Sequence, residues 1–334
     1  KILMIDYIEK MLEEMPSNFD GEAPTAASNH LFEVNEKNPV MLDEETATMF
    51  HHNVAKLLFL CKRARPDIQT AIAFLCTRVK GPDNDDYKKL IRVMRYLRGT
   101  AKMPLTLEGD NTCIIKWWVD ASFAVHPDMK SHTGGAMSLG KGVVYGTSTR
   151  QKLNTKSSTE AELVGVNDVM PQILWTRYFL EAQGYGVKDS IVNQDNQSAI
   201  LLEKNGRASS SKRTRHINIR YFFVANRVES NEVKIQYCPT GEMIADFFTK
   251  PLQGIDFQKF RNFIMNYYPT TNSLSDHRSV LGNEDGEWTK VERRTDRKVG
   301  FRHEPTNQNE RSRRTKSSME GTRRSPEARR ITSE

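Results

Sequence analysis

The sequence predicts an α/β domain on a mixed sheet, with a mostly helical segment before it and a tail too polar to fold after it. Three observations predict this. Apolar residues recur at helical spacing through much of residues 1–112. From Ile114 three strand-like runs are followed by helix–strand–helix alternation, an order that lays helices against a mixed sheet. Residues 270–334 hold only seven Leu, Ile, Val or Phe, too few to offset the entropy of ordering them, so that stretch is expected to be disordered.

The elements follow in order. Phe50, Val54, Leu57, Leu58 and Cys61 mark a helix over Ala47 to Ala64. Pro66 suits the first turn of the next, over Asp67 to Val79. Asp83-Asn84-Asp85-Asp86 opens a third helix through Leu90, Ile91, Met94 and Leu97, with Gly99 as its expected stop. Strands are predicted from Ile114 to Ala121, Gly134 to Leu139 and Val143 to Thr149. A long helix runs from Ser158 to Ala182, with a kink expected at Pro171. After it come a strand (Ser190 to Asp195), a short helix ending at Asn205-Gly206, and a basic loop from Arg207. A helical stretch through Tyr221-Phe222-Phe223, a strand from Glu232 to Cys238 and a helix from Gly241 to Phe248 complete the alternation. Phe257, Phe260, Phe263, Ile264 and Tyr267 share one helical face and read as core.

With 334 residues the chain is long enough for two or three domains at about 100–200 residues each. No apolar run approaches the ~20 residues of a membrane-spanning helix. The N-terminus has neither a signal-peptide layout nor an initiator Met, so a fragment without secretion or membrane anchoring is expected. The four Cys form no CxxC pair, which disfavours zinc ribbons and disulfide frameworks and fits a reducing, intracellular compartment. Net charge is +7, of which residues 270–334 carry +4. A basic excess favours a polyanionic partner, nucleic acid first, although a merely solvated tail competes with that reading.

Four carboxylates stand where elements begin or end. Asp120 lies at the end of the first strand, Glu162 in the first turns of the long helix, Asp195 at the end of another strand, and Asp246 near a helix start. If these ends converge, the acids repel one another unless divalent cations neutralise them, the setting in which oxygen ligands bind Mg²⁺. Each acid alone reads equally as a cap. Thr159 with Glu162 matches a capping box, and Ser157 with Glu160 offers the same spacing, which would leave Glu162 free.

The runs WVDASFAVHPDMKSHTGG, QKLNTKSSTEAEL, QDNQSAILLEKNG, TRHINIRYFF and ADFFTKPL, in that order, resemble the ribonuclease H domain of copia-type LTR retrotransposon Pol polyproteins. Upstream, KLLFLCKRARPDIQTAIAFLCTRVKGP and LIRVMRYLRGT resemble the end of that family's reverse transcriptase. The resemblance implies a thumb-like segment over 1–112, a ribonuclease H domain over 113–268 and a basic tail over 269–334. It implies the ribonuclease H-like fold, a five-stranded mixed sheet flanked by helices. It also implies a catalytic, metal-binding tetrad of Asp120, Glu162, Asp195 and Asp246, served by two Mg²⁺ ions with Mn²⁺ as substitute. The expected activity is hydrolysis of RNA in RNA–DNA hybrids during reverse transcription. The expected partners are the hybrid and the rest of the Pol polyprotein, in cytoplasmic particles or the nucleus.

Two departures qualify the carry-over. No Tyr-x-Asp-Asp occurs, and Asp85-Asp86 reads as a helix start, so polymerisation by this chain is not expected. The loop Pro239-Thr240-Gly241-Glu242 lacks the His that many cellular ribonucleases H carry there; His216 is the nearest substitute in sequence, with a packed or capping role as its alternative. For substrate binding, Arg207, Lys212, Arg213, Arg215 and Arg220 are the expected phosphate ligands, or else a solvated basic surface. A catalytically inactive nucleic-acid-binding module is the competing function, and an intact tetrad argues against it. Integrase-type strand transfer would want a different acid order and a His/Cys zinc module.

Overall fold

The computed structural model describes residues 1–16, 19–205 and 218–268. The expected tail, 269–334, therefore lies outside the described residues.

Five strands form the sheet: β1 (Ile114–Ser122), β2 (His132–Ser138), β3 (Tyr145–Arg150), β4 (Asp189–Gln194) and β5 (Lys234–Tyr237). Their order is β3-β2-β1-β4-β5. β1 pairs antiparallel with β2, and β2 with β3, whereas β1–β4 and β4–β5 are parallel. This is the five-stranded mixed sheet that the alternation of elements predicts. Along β1, Ile115, Trp117 and Val119 point to one face and Trp118 to the other, the period-two alternation of a strand buried on both sides.

The first face packs on α5 (Ser158–Ala182), whose Val166, Met170 and Ile173 meet those β1 side chains. α6 (Gln197–Asn205) and α7 (Asn218–Glu229) follow β4 and lead to β5. On the other face lie α8 (Asp246–Thr249) and α9 (Gly254–Met265). Phe257, Phe260 and Ile264 of α9 are buried, as the aromatic stripe predicts.

The N-terminal helices are α1 (Ile5–Glu13), α2 (Glu44–Arg63), α3 (Gln69–Cys76) and α4 (Asn84–Thr100). Their buried faces share one continuous apolar cluster with Trp118, Ala136, Phe247, Phe248 and the α9 stripe. The border at 112/113 thus separates two stretches of sequence that share a core, and residues 1–273 form one compact unit. A buried pair, Arg65–Asp67, sits at the junction of α2 and α3: Arg65 Nη2 donates to Asp67 Oδ2 at 2.8 Å, and Tyr96 Oη donates to the same oxygen at 2.7 Å.

Several boundaries shift by one to three residues from the sequence reading, and two differences have a plain physical reason. α4 runs through Gly99 to Thr100, because its N-terminal capping box of Asp83 and Asp86 and its buried Leu90, Val93, Met94 and Leu97 outweigh one glycine. Between β5 and α9 the expected helix over Gly241 to Phe248 is instead a short 3₁₀ turn, Thr240–Glu242, a bend, and then α8. Met243, Ile244, Ala245, Phe247 and Phe248 are all buried, and a run buried on every side cannot form a surface helix with one apolar face.

Candidate active site

The site forms where β1 outruns its parallel neighbour. Pairing with β4 stops at Trp118–Asn193, while pairing with β2 continues to Ser122–His132. Past Trp118 the sheet therefore has a gap on the β4 side, and Asp120 lies beside it with 2% exposure. Asp195, the expected end of the strand, follows β4 directly, because the strand stops one residue earlier at Gln194.

Glu162 enters from α5. The helix begins at Ser157, whose hydroxyl accepts from the Glu160 N–H at 3.2 Å, while Glu160 Oε2 accepts from the Lys156 N–H at 2.8 Å. Of the two capping registers open in the sequence, the structure thus adopts the earlier one. Glu162 lies two residues further on, about 200° around the helix, and is buried at 5% exposure.

Asp246 is set beside Asp120 by a glycine. Gly134 pairs with Asp120 across β1–β2, and a Cβ built there would meet Thr249 Cγ2 at 2.6 Å and the Ala245 carbonyl at 2.8 Å. Without a side chain at 134, α8 lies flat on the sheet, and the Thr249 hydroxyl donates to Asp120 Oδ2.

Ligand oxygens of Asp120, Glu162 and Asp195 all lie within 4.8 Å of one another. Asp246 joins them through Lys250, whose Nζ is 2.7 Å from Asp246 Oδ1 and 3.6 Å from Asp120 Oδ2. Burial, then the Asp120 and Asp195 charges, raise the Glu162 carboxyl well above the usual range. Burial, then Asp120, push Asp246 up to about 7. For Lys250, burial would lower the ammonium, but the Asp120 and Asp246 carboxylates outweigh it and raise it. An all-carboxylate donor set, buried and mutually repelling, suits a hard divalent cation. Asp120, Glu162 and Asp195 are placed so that they could hold one.

Three side chains at the site lie outside the sequence-derived set. Gln194 is fully buried; its Nε2 donates to Glu162 Oε2 at 3.3 Å and its Oε1 accepts from the Asp195 N–H at 2.8 Å, which ties two acids together. Thr249 and Lys250 are the others. Their signal was adjacency, Gln194 beside Asp195 and Thr249-Lys250 one helical turn after Asp246. In the loop without the expected His, Thr240 Oγ1 donates to Asp195 Oδ2 at 2.9 Å. Arg207, Lys212, Arg213, Arg215 and His216 lie outside the described residues, and Arg220 is placed only by its backbone, in α7.

No protein-family model matches the chain. In sequence it is 28% identical over 262 residues to the retrovirus-related Pol polyprotein from transposon TNT 1-94 of Nicotiana tabacum, covering 77% of this chain and 20% of that protein. It is 32% identical over 202 residues to the corresponding polyprotein from transposon RE1 of Arabidopsis thaliana, covering 60% of this chain and 14% of the other. Over 172 residues it is 28% identical to the putative transposon Ty5-1 protein YCL074W of Saccharomyces cerevisiae, covering 50% of this chain and 54% of that one. The chain is a homologue of copia-type transposon Pol polyproteins. This Pol homologue spans a fifth or less of the length of the two plant relatives. Among solved structures, it is similar to the N-terminal RNase H domain of a Mycobacterium tuberculosis protein fused to maltose binding protein. That match has 13% identity and a TM-score of 0.29, over 41% of this chain and 90% of the other. The prototype foamy virus protease–reverse transcriptase matches at 11% identity and a TM-score of 0.27, over 45% of this chain and 19% of the other. The mixed five-stranded sheet flanked by helices is the ribonuclease H-like fold that the resemblance implies. Among the described residues, no helix is long and apolar enough to cross a membrane.

Proposed function

We propose that this Pol homologue hydrolyses the RNA strand of RNA–DNA hybrids in a reaction that needs a divalent cation, Mg²⁺ or in its place Mn²⁺. The convergence of Asp120, Glu162 and Asp195 within 4.8 Å carries the reading. Asp120, Glu162 and Asp195 would hold one ion, and Asp246 with Asp120 would serve a second. Cations bound there supply Lewis-acid chemistry, activating water and stabilising charge on phosphodiester oxygens.

The chain's own residues prepare that step. Burial and the Asp120 and Asp195 charges raise the Glu162 carboxyl, a repulsion that a bound cation would relieve, and Gln194 donates to Glu162 Oε2 and holds that carboxyl in place. Thr249 fixes one oxygen of Asp120 and Thr240 fixes one of Asp195, so neither acid has to reorient when a cation binds. Lys250 offsets part of the negative charge until then.

The hybrid and the rest of the Pol polyprotein are the proposed partners, within intracellular particles. The test is cleavage of an end-labelled RNA–DNA hybrid with Mg²⁺, with and without EDTA. The RNA strand should be cut internally to 3′-hydroxyl and 5′-phosphate ends, the DNA strand left whole, and EDTA should abolish the cuts. Cuts that persist in EDTA, or an intact RNA strand with Mg²⁺, would contradict the proposal.

A further inference from the structure

α4 borders a cavity of about 740 Å³ that is separate from the acid centre. Its walls come from α4 and from residues 22–35. Two of the three acids on those walls are engaged: Asp85 pairs with Lys89 at 2.9 Å and Glu33 bonds His30 at 2.7 Å, and Glu22 is the third. Lys88, Arg92 and Arg95 have no acidic partner among the described residues. The Nε–H groups of Arg92 and Arg95 are buried and donate to no partner among the described residues, and Arg92 Nη2 donates to Thr25 Oγ1 at 2.8 Å. With both Nε atoms buried, the Nη groups of the two guanidiniums and the exposed Lys88 ammonium are left to meet an anion such as phosphate.

Spacing and position fit a nucleic-acid strand. Lys88, Arg92 and Arg95 stand at i, i+4 and i+7 on one face of α4, about 10 Å from first to last. Each strand of a duplex advances ~3.4 Å along the axis per phosphate, so about three phosphates of one strand fall within that axial length. No Phe, Tyr or Trp lines the cavity, which suits backbone contact rather than base stacking. Residues of the wall segment also contact the segments next to the acid centre. Thr25, the partner of Arg92, bonds Gln253 at 3.0 Å, three residues beyond Lys250. Phe32, from the same wall segment, packs on His126 and His132 at 5.2 and 5.3 Å, on the turn that joins β1 to β2.

We infer that the Lys88–Arg92–Arg95 cavity is a second nucleic-acid contact, binding successive backbone phosphates of the hybrid whose RNA strand the acid centre cuts. The identity of the nucleic acid rests on the hydrolytic reading above; the contact itself does not.

Fluorescence anisotropy with a labelled RNA–DNA hybrid in EDTA, over a salt series, tests it. Each lost phosphate contact should lower the slope of log Kd against log salt by about 0.9, so Lys88→Gln should lower it by about 1 and the triple Lys88→Gln/Arg92→Gln/Arg95→Gln by about 3. Glu33→Gln, which removes a negative charge from the wall, should tighten binding. Lys88 and Glu33 are both exposed, so these two single variants decide the matter even if the triple fails to fold. One common slope for wild type and Lys88→Gln, with no effect of Glu33→Gln, overturns the cavity site whether or not the chain cuts the hybrid. Shifted slopes from a protein that cuts nothing leave the cavity a nucleic-acid contact and overturn the hydrolytic reading instead.

Discussion

At the scale of the residue, the acid centre is a charge problem only half solved by the protein. Glu162 and Asp246 are raised by burial and by neighbouring acids, and among the described residues Lys250 is the one ammonium in contact with the group. Cation binding must displace protons from these carboxyls, so affinity should fall as the pH drops through about 7, the value to which Asp246 is pushed. Calorimetric titration with Mg²⁺ between about pH 6 and 8 checks this, and a flat affinity would count against it. Replacing Lys250 with Met removes the counter-charge, so the variant should melt below wild type in EDTA and recover when Mg²⁺ is added. Equal melting in EDTA would show that the Lys250 contacts are incidental. Asp120, Glu162, Asp195 and Asp246 were legible in the sequence because acids at the ends of strands and starts of helices are where a sheet exposes functional groups. Gln194, Thr249 and Lys250 were not, since their roles depend on which acid each touches across 32, 129 and 130 residues of chain.

At the scale of the element, placement depends on close approach. Gly134→Ala would drive a methyl into Thr249 and the Ala245 carbonyl, lifting α8 from β2 at a cost of about 1–3 kcal/mol. Cation affinity should fall with it, because Asp246 and Thr249 move together; unchanged affinity in a folded Gly134→Ala protein would disprove this coupling. Beside the site, His126 Nε2 and His132 Nδ1 lie 2.9 Å apart, and His132 Nε2 meets Ser148 Oγ at 2.7 Å. Burial lowers His126 to about 4 and His132 to about 3, from an ordinary 6.5. Between those values the unfolded chain binds more protons than the folded one, so this contribution to stability is present above 6.5 and lost as the pH falls toward 4 and 3. A His126→Gln/His132→Gln protein should show a shallower loss of melting temperature over that range, and an identical pH profile would remove the pair from the account. Periodicity located α2 well, because Phe50, Val54, Leu57 and Cys61 bury one regular face. It misread Gly241 to Phe248, because a segment buried on all sides carries no period to read.

At the scale of the whole molecule, the helical segment and the sheet depend on each other. Ile244, Phe247 and Phe248 beneath the acid centre share their core with Phe50, Leu57, Phe74 and Leu97. Residues 113–268 expressed alone should therefore be unstable or aggregate, and Arg65→Ala should cost about 3–5 kcal/mol by leaving Asp67 buried without its partner. Chemical denaturation checks both; a cooperative, fully stable 113–268 fragment would refute the shared core. This dependence was not visible in the sequence, where a change of texture at Ile114 looks like a border. The central claim, that four converging acids form a cation-dependent nuclease centre, is tested most directly by comparing hybrid cleavage by Glu162→Gln and Glu160→Gln under saturating Mg²⁺. Glu162→Gln removes a charge facing Asp120 and Asp195, and should reduce cleavage by orders of magnitude while the hybrid still binds. Glu160→Gln alters a carboxylate of the helix cap, should cost at most about 1 kcal/mol of stability, and should leave the rate per folded molecule unchanged. A fully active Glu162→Gln protein would contradict the claim.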